Sequence, residues 1–346
     1  MTELASRRSL DTLQLGRAFA ALAVVCHHTT RTLAQPKYLG ENVFPIFNAG
    51  DSGVMYFFVL SGFVIFLAHA NDFGDRDNAL RFIWRRVQRI YPALWVALIC
   101  VIPLVLLMKA DLSFYDLFSS FLLLPIEHEP IIDVVWTLRH EMIFYAIFAV
   151  AIWNPRIGWI AGAVWLALSF VQPVLFPAYP LAFVFHPAHV LFGLGILAYW
   201  LFNRRDIVSP KLCLTLGIVL FGGTWIAVAY GALLKNAIST WCYGVGAMLM
   251  ILGGVVLETK TALRLPRVLI FLGEASYSIY LVHFPALSGF AKVATKLKAL
   301  GIPDELLFVM VATGGVAVGV VFYLLVERPL LTFFRTIGRV PKRVEA

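Results

Sequence analysis

Arg17 and His28 stand eleven residues apart in one apolar stretch, GRAFAALAVVCHHTT, Gly16 to Thr30. At about 100° per residue that spacing is three helical turns and a little more, so both side chains leave one helix face about 16 Å apart. A guanidinium and an imidazole are costly in hydrocarbon. Where a membrane span carries them, they face a bundle interior or a watery cavity and mark a pathway or a reaction centre. An imidazole titrates near neutral pH, which suits it to take a proton from a hydroxyl. His27 points about 100° away from this face and reads as structural.

Three further stretches carry polar groups into apolar surroundings. In RFIWRRVQRIYP, Arg81 to Pro92, the pairs Arg86/Arg89 and Arg85/Arg89 are spaced to stack on one helical surface. Guanidinium forks bind phosphate with two bonds at once, so an anionic ligand is expected there, with plain membrane anchoring as the simpler reading. In VVWTLRHEMIFY, Val134 to Tyr145, a span opens with Trp136, Arg139, His140, Glu141 and Tyr145. Glu141 is placed to orient an imidazole and stabilise its charged form. In LGEASYSIYLVHFP, Leu272 to Pro285, Tyr277, Tyr280 and His283 form a polar stripe at i, i+3 spacing, for substrate contact or for an interfacial aromatic belt. His186 and His189 share the same spacing in HPAH. They lack a nearby carboxylate, and no metal site is expected.

The elements that position these groups follow from composition. Of 346 residues, 60% are hydrophobic and only 14% charged, and mean hydropathy is +0.83. A soluble domain is nearer half apolar and a quarter charged. Apolar runs of about 20 residues recur along the whole length, which fits an all-α polytopic membrane bundle and not a β-barrel. Ten spans are expected: 12–33, 51–70, 88–108, 135–153, 157–172, 187–202, 212–231, 237–257, 268–290 and 305–326. Segment 114–126 is apolar but too short to cross and reads as interfacial or re-entrant. The first span is not a cleavable signal peptide, because Arg17 and two histidines interrupt its apolar centre.

The net charge of +8 finds its reason in topology rather than in nucleic acid. Most of the lysines and arginines fall in segments on one side, which places both termini in the cytoplasm. Lys292, Lys296 and Lys298 run against that assignment. The chain reads as one membrane domain over 1–346, closed by a short basic tail after Arg328 that anionic lipid would attract. The four cysteines, Cys26, Cys100, Cys213 and Cys242, lie far apart in apolar segments with no disulfide or metal spacing.

Taken in order, these stretches resemble the acyltransferase 3 family of membrane acyltransferases, and within it the exopolysaccharide acetyltransferases. The residues that carry the resemblance are Arg17 and His28 with ten residues between them, FFVLSGF at Phe57 to Phe63, and Arg86, Arg89, Ile90 and Pro92 as R-x-x-R-I-x-P. They continue with Trp136, Thr137, Leu138 and Glu141, then Ser276, Tyr277, Tyr280, Leu281 and His283, and Glu327-Arg328-Pro329. Gln14, Met55 and Met142 stand where the family often has acidic residues. The resemblance covers residues 10 to about 330. It implies acyl-CoA, chiefly acetyl-CoA, as a donor that is not tightly held, a carbohydrate or lipid-linked glycan hydroxyl as acceptor, and a bacterial inner membrane as location. On that reading His28 and Glu141 are catalytic, Arg17, Arg86 and Arg89 hold the donor, and Trp136, Tyr145, Tyr277 and His283 contact substrate. The base would act directly on the acceptor, or an acyl-histidine would form first.

A transporter or flippase for a glycan is the competing class, since intramembrane Arg, His and Glu occur there too. Transporters often show paired repeats with matching broken helices, and no repeat is visible here. A non-catalytic partner in a polysaccharide assembly complex is a third class. Sequence leaves open whether the chain forms a homo-oligomer.

Overall fold

The computed structural model describes residues 10–107, 113–127, 130–176, 178–204, 209–261 and 263–337, and these form helices with no strand among them. In chain order they are α1 Asp11–Leu33, α2 Gly53–His69, α3 Arg76–Leu107, α4 Phe114–Leu122, α5 Trp136–Trp153, α6 Pro155–Leu175 and α7 Val190–Arg204. There follow α8 Pro210–Ala229, α9 Ala237–Lys260, α10 Arg267–Glu274, α11 Ser276–Lys298, α12 Asp304–Phe322 and α13 Arg328–Ile337. A 3-10 turn, Pro45–Ser52, leads into α2, and a π turn, Tyr323–Glu327, joins α12 to α13. Residues 338–346 of the basic tail lie outside the described residues.

Among the described residues, eight helices are long and apolar enough to cross a membrane, and the bent pair α10–α11 makes a ninth. The first helix is the tenth of spanning length: 23 residues rise about 34 Å, though Arg17, His27 and His28 dilute its hydropathy. The ten expected spans are all helices. The interfacial segment is the nine-residue α4, opened by a Ser113–Asp116 capping box. Alternating crossings put the start of α1, the end of α2 and the start of α3 at one face, here the near face. The Pro45–Ser52 turn, the start of α5 and the start of α9 lie at the far face. Of the far-face lysines, Lys298 has a local partner, its Nζ reaching Asp304 at 2.9 Å.

The polar first helix is held inside the bundle, packed against α2, α9, α10, α11 and α12. Its first amides need partners, because no i−4 carbonyl exists for them. Glu258 of α9 supplies them, accepting from Asp11 N at 2.8 Å, from Thr12 N at 2.9 Å and from the Thr12 hydroxyl. In lipid, helices associate by close packing rather than by hydrophobic drive, and small residues let backbones meet. A Cβ on Gly53 would lie 2.3 Å from Ala20 O, one on Gly62 2.1 Å from Phe192 O, and one on Gly195 2.0 Å from Val59 O. α2 is thereby clamped between α1 and α7. Between α10 and α11 the chain turns by 74° at Ala275, so α11 starts inside the bundle at Ser276.

Candidate active site

A cavity of about 130 Å³ inside the bundle is lined by Arg17 from α1, Arg86 and Arg89 from α3, Glu141 and Tyr145 from α5, and Ser276 and Tyr277 from α11. Two helices distant in sequence, α1 and α3, thus converge three guanidiniums on one space. Arg17 Nε donates to Ser276 Oγ at 3.0 Å, which fixes it to the break before α11. The start of α11 faces the same cavity, and the free amides of a helix N-terminus add to its positive field. Arg86 lies over the rings of Phe82, at 5.4 Å, and Tyr145, at 5.6 Å. Stacking holds the guanidinium in one orientation while its Nε, buried, has no hydrogen-bond partner. The neighbouring Arg81 and Arg85 are exposed, so the helix divides its arginines between the surface and the cavity.

Two carboxylates balance this charge in part. Glu141 accepts from Ser61 Oγ at 3.0 Å and from the Tyr145 hydroxyl. Glu327, 3% exposed in the π turn, accepts from the Ser278 hydroxyl and lies within electrostatic reach of Arg17 and Arg89. Tyr277 donates to Ile90 O at 2.9 Å, and the Tyr280 hydroxyl donates to Val134 O at 3.0 Å. No role for Ser61, Ser276 or Glu327 follows from sequence. Only the short motifs around them singled them out, and their contacts are all between distant helices.

His28 lies outside this lining. Its ring packs on His283, on Phe284 and on His27, at centroid distances of 5.1, 5.2 and 5.2 Å. Arg17 and His28 do share a helix face, since both meet α11. The expectation that Glu141 orients the His28 imidazole is corrected: Glu141 spends its carboxylate on Ser61 and Tyr145, and the group beside His28 is His283. His283 Nδ1 lies 3.0 Å from Ile279 O and 2.8 Å from Tyr280 O. Carbonyls only accept, so Nδ1 carries the proton and Nε2 is a bare lone pair. That Nε2 is buried and without a partner. Tyr280, whose ring is 6.0 Å from that of His283, also lines the arginine cavity and links the two places. His27 donates Nδ1–H to Phe47 O at 3.1 Å, as a structural residue does.

Trp136 opens α5 at the far face, half-buried against His140 and His186, at 5.5 and 6.4 Å. His186 and His189 join His140 in a buried aromatic cluster in which His140 Nδ1 meets His189 Nε2 at 2.9 Å. The four cysteines are free thiols. The structure therefore gathers Arg17, Arg86, Arg89, Glu141, Tyr145 and Tyr277 in one cavity. His28 and His283 form a second group one helical turn beyond it, and Trp136 sits at the opposite mouth.

Comparison with known proteins follows the same span of the chain. Residues 10–327 match an acyltransferase domain, acyltransferase 3. The exopolysaccharide production protein ExoZ of Rhizobium meliloti is 30% identical over 302 residues, covering 82% of this chain and 90% of that protein. Acyltransferase MdmB of Streptomyces mycarofaciens is 28% identical, covering 93% of this chain and 91% of its own length. O-acetyltransferase OatA of Staphylococcus aureus is 24% identical over 82% of this chain and 52% of that longer protein. No solved structure matches. A polytopic bundle with its polar groups on these motifs, matched across nearly its whole length, belongs to the acyltransferase 3 family and is an integral membrane acyltransferase.

Proposed function

We propose that the protein is an O-acyltransferase of the bacterial inner membrane. It moves an acyl group, acetyl in this reading, from acyl-CoA to a hydroxyl of a carbohydrate, such as an exopolysaccharide repeat unit or a lipid-linked glycan. The observation that carries the donor assignment is the convergence of Arg17, Arg86 and Arg89 on one cavity, with the Arg86 Nε buried and unspent. CoA carries a diphosphate and a 3′-phosphate, and charge-assisted bonds from guanidinium to phosphate are among the strong ones. The excess of basic residues at the near face supports a cytoplasmic orientation of this cavity, where CoA resides. The relatives' names support the rest: one acts in exopolysaccharide production and another is an O-acetyltransferase.

In the transfer, the acceptor oxygen bonds to the thioester carbonyl carbon, the C–S bond breaks and CoA leaves as the thiolate. A sugar hydroxyl is a weak nucleophile until a base takes its proton, a step worth about 10²–10⁴-fold. His28 is that base. The unpartnered lone pair on His283 Nε2, on a ring 5.1 Å from that of His28, is the acceptor open to the N–H on the other side of the His28 ring, and accepting from it would fix the tautomer and steady the imidazolium. This is the part a carboxylate plays for other catalytic histidines. Tyr280, at the junction of cavity and histidines, marks where the thioester meets them.

The test is direct. Purified protein is incubated with labelled acetyl-CoA and polysaccharide from cells lacking the protein. Label must pass to the polysaccharide. Label that stays on CoA removes the proposal and leaves a transporter or an assembly partner as the function.

A further inference from the structure

A second cavity, of about 510 Å³, opens at the far face. Its lining includes Trp136, His186, Asn236, Thr240 and Tyr243, together with Asp51 and Lys235. We infer that this far-face cavity is the binding cleft for the carbohydrate acceptor, and that it takes an uncharged sugar ring. The inference rests on the acyl-transfer reading and adds to it where and how the acceptor is held.

The lining decides the ligand class. Its two charges cancel: Lys235 Nζ reaches Asp51 Oδ2 at 2.7 Å and Asn48 O at 2.7 Å, so no cation is left for a phosphate. The remaining groups are neutral donors and acceptors beside aromatic planes. A pyranose presents hydroxyls at its rim and a C–H face that packs on an aromatic ring, and such a mixed wall suits it. Acyl chains need the opposite. The cavities lined by Phe19, Ala23 and Trp225, and by Phe144, Trp165 and Phe192, carry almost no polar surface and suit lipid instead.

Position ties the cleft to the reaction. Asp51 and Ser52 belong to the Pro45–Ser52 turn, which is pressed onto α1. A Cβ on Gly50 would lie 2.4 Å from Ala23 O and 3.0 Å from His27 Cβ. The wall of the cleft is thus built on the helical turn that carries His28. Val54 and Thr137 line the arginine cavity, and their chain neighbours Met55 and Trp136 line the far cleft. The two linings meet at neighbouring residues on α2 and on α5, and on this reading acceptor and donor approach the histidines from opposite faces.

Thr240→Trp fills the cleft and Trp136→Ala removes its aromatic wall. The probe is the cell's own polysaccharide, stripped of acetyl groups by mild alkali. Each variant is expected to raise the KM for this polysaccharide about tenfold, the scale of one lost aromatic contact, with the KM for acetyl-CoA unchanged. Calorimetry without acetyl-CoA reads binding alone, and Thr240→Trp is expected to lose it. Polysaccharide binding equally well to wild type and Thr240→Trp overturns the cleft, as does a rise in both KM values together. If binding is lost in Thr240→Trp while wild type transfers no acetyl group, the cleft stands and the transfer reading fails.

Discussion

His283 offers the sharpest perturbation, because its protonation is fixed by geometry. Its Nδ1 gives a proton to two backbone carbonyls, and its Nε2 is left as an acceptor with 0% of the residue exposed. Asn and Gln divide these two properties. In His283→Asn, the amide nitrogen replaces Nδ1, and nothing reaches the Nε2 position. In His283→Gln, an amide oxygen reaches the Nε2 position as an acceptor. The reasoning gives His28 its tautomer through that acceptor. His283→Asn is therefore expected to lower kcat by about 10²-fold, the lower end for losing support of a general base, which is about 2.7 kcal/mol of transition-state stabilisation. The KM for acetyl-CoA is expected to stay put, since the arginine cavity is untouched. His283→Gln recovers part of kcat. Stability should hold in both, because at most one net hydrogen bond, about 0.5–1.5 kcal/mol, is lost. The assay is transfer of label from acetyl-CoA to polysaccharide by detergent-purified protein, with a melting curve alongside. Full activity in His283→Asn, or equal loss in Asn and Gln, would refute the lone-pair argument and leave His283 a packing residue.

The other perturbations read separate parts of the site. His28→Ala is expected to abolish transfer with an unchanged melting temperature, and wild-type turnover in that variant would remove its assignment as base. Arg86→Ala with Arg89→Ala is expected to raise the KM for acetyl-CoA by about 10²-fold or more, since each charge-assisted bond is worth about 1.5–3 kcal/mol; an unchanged KM reduces both arginines to anchors. Glu258→Ala leaves three donors at the start of α1 uncapped and is expected to destabilise the bundle by about 1–3 kcal/mol, seen as a lower melting temperature in detergent.

Apolar runs marked the eight helices able to cross and the bent pair that makes a ninth, the first helix has the length but is diluted by its polar groups, and the short segment at α4 was legible as too short to cross. Helix-face geometry placed Arg17 and His28 together correctly, since both meet α11. Spacing along one helix is a local property and survives folding. The partner of Glu141 was not legible. Sequence shows which groups are costly to bury, but the groups that satisfy them come from helices 80 to 260 residues away, as Ser61 does for Glu141 and Ser276 for Arg17. The stripe of tyrosines around His283 suggests a substrate contact. The carbonyls that fix its proton belong to the preceding turn of the same helix, where any helical residue has them. Only the packing against His28 gives that fact a use.

The α2 and α5 walls that the two cavities share constrain the chain in length as well as in composition. Trp136 and Glu141 are five positions apart, which turns a helix by about 140°, so they address different compartments by phase alone. Met55 and Ser61, six apart on α2, differ by about 120° in the same way. Inserting or deleting a single residue within either stretch would rotate everything beyond it by about 100°, carrying Glu141 or Ser61 out of the compartment it serves. The helix would remain intact and apolar. What would be lost is the phase relation that lets one rod serve two sides.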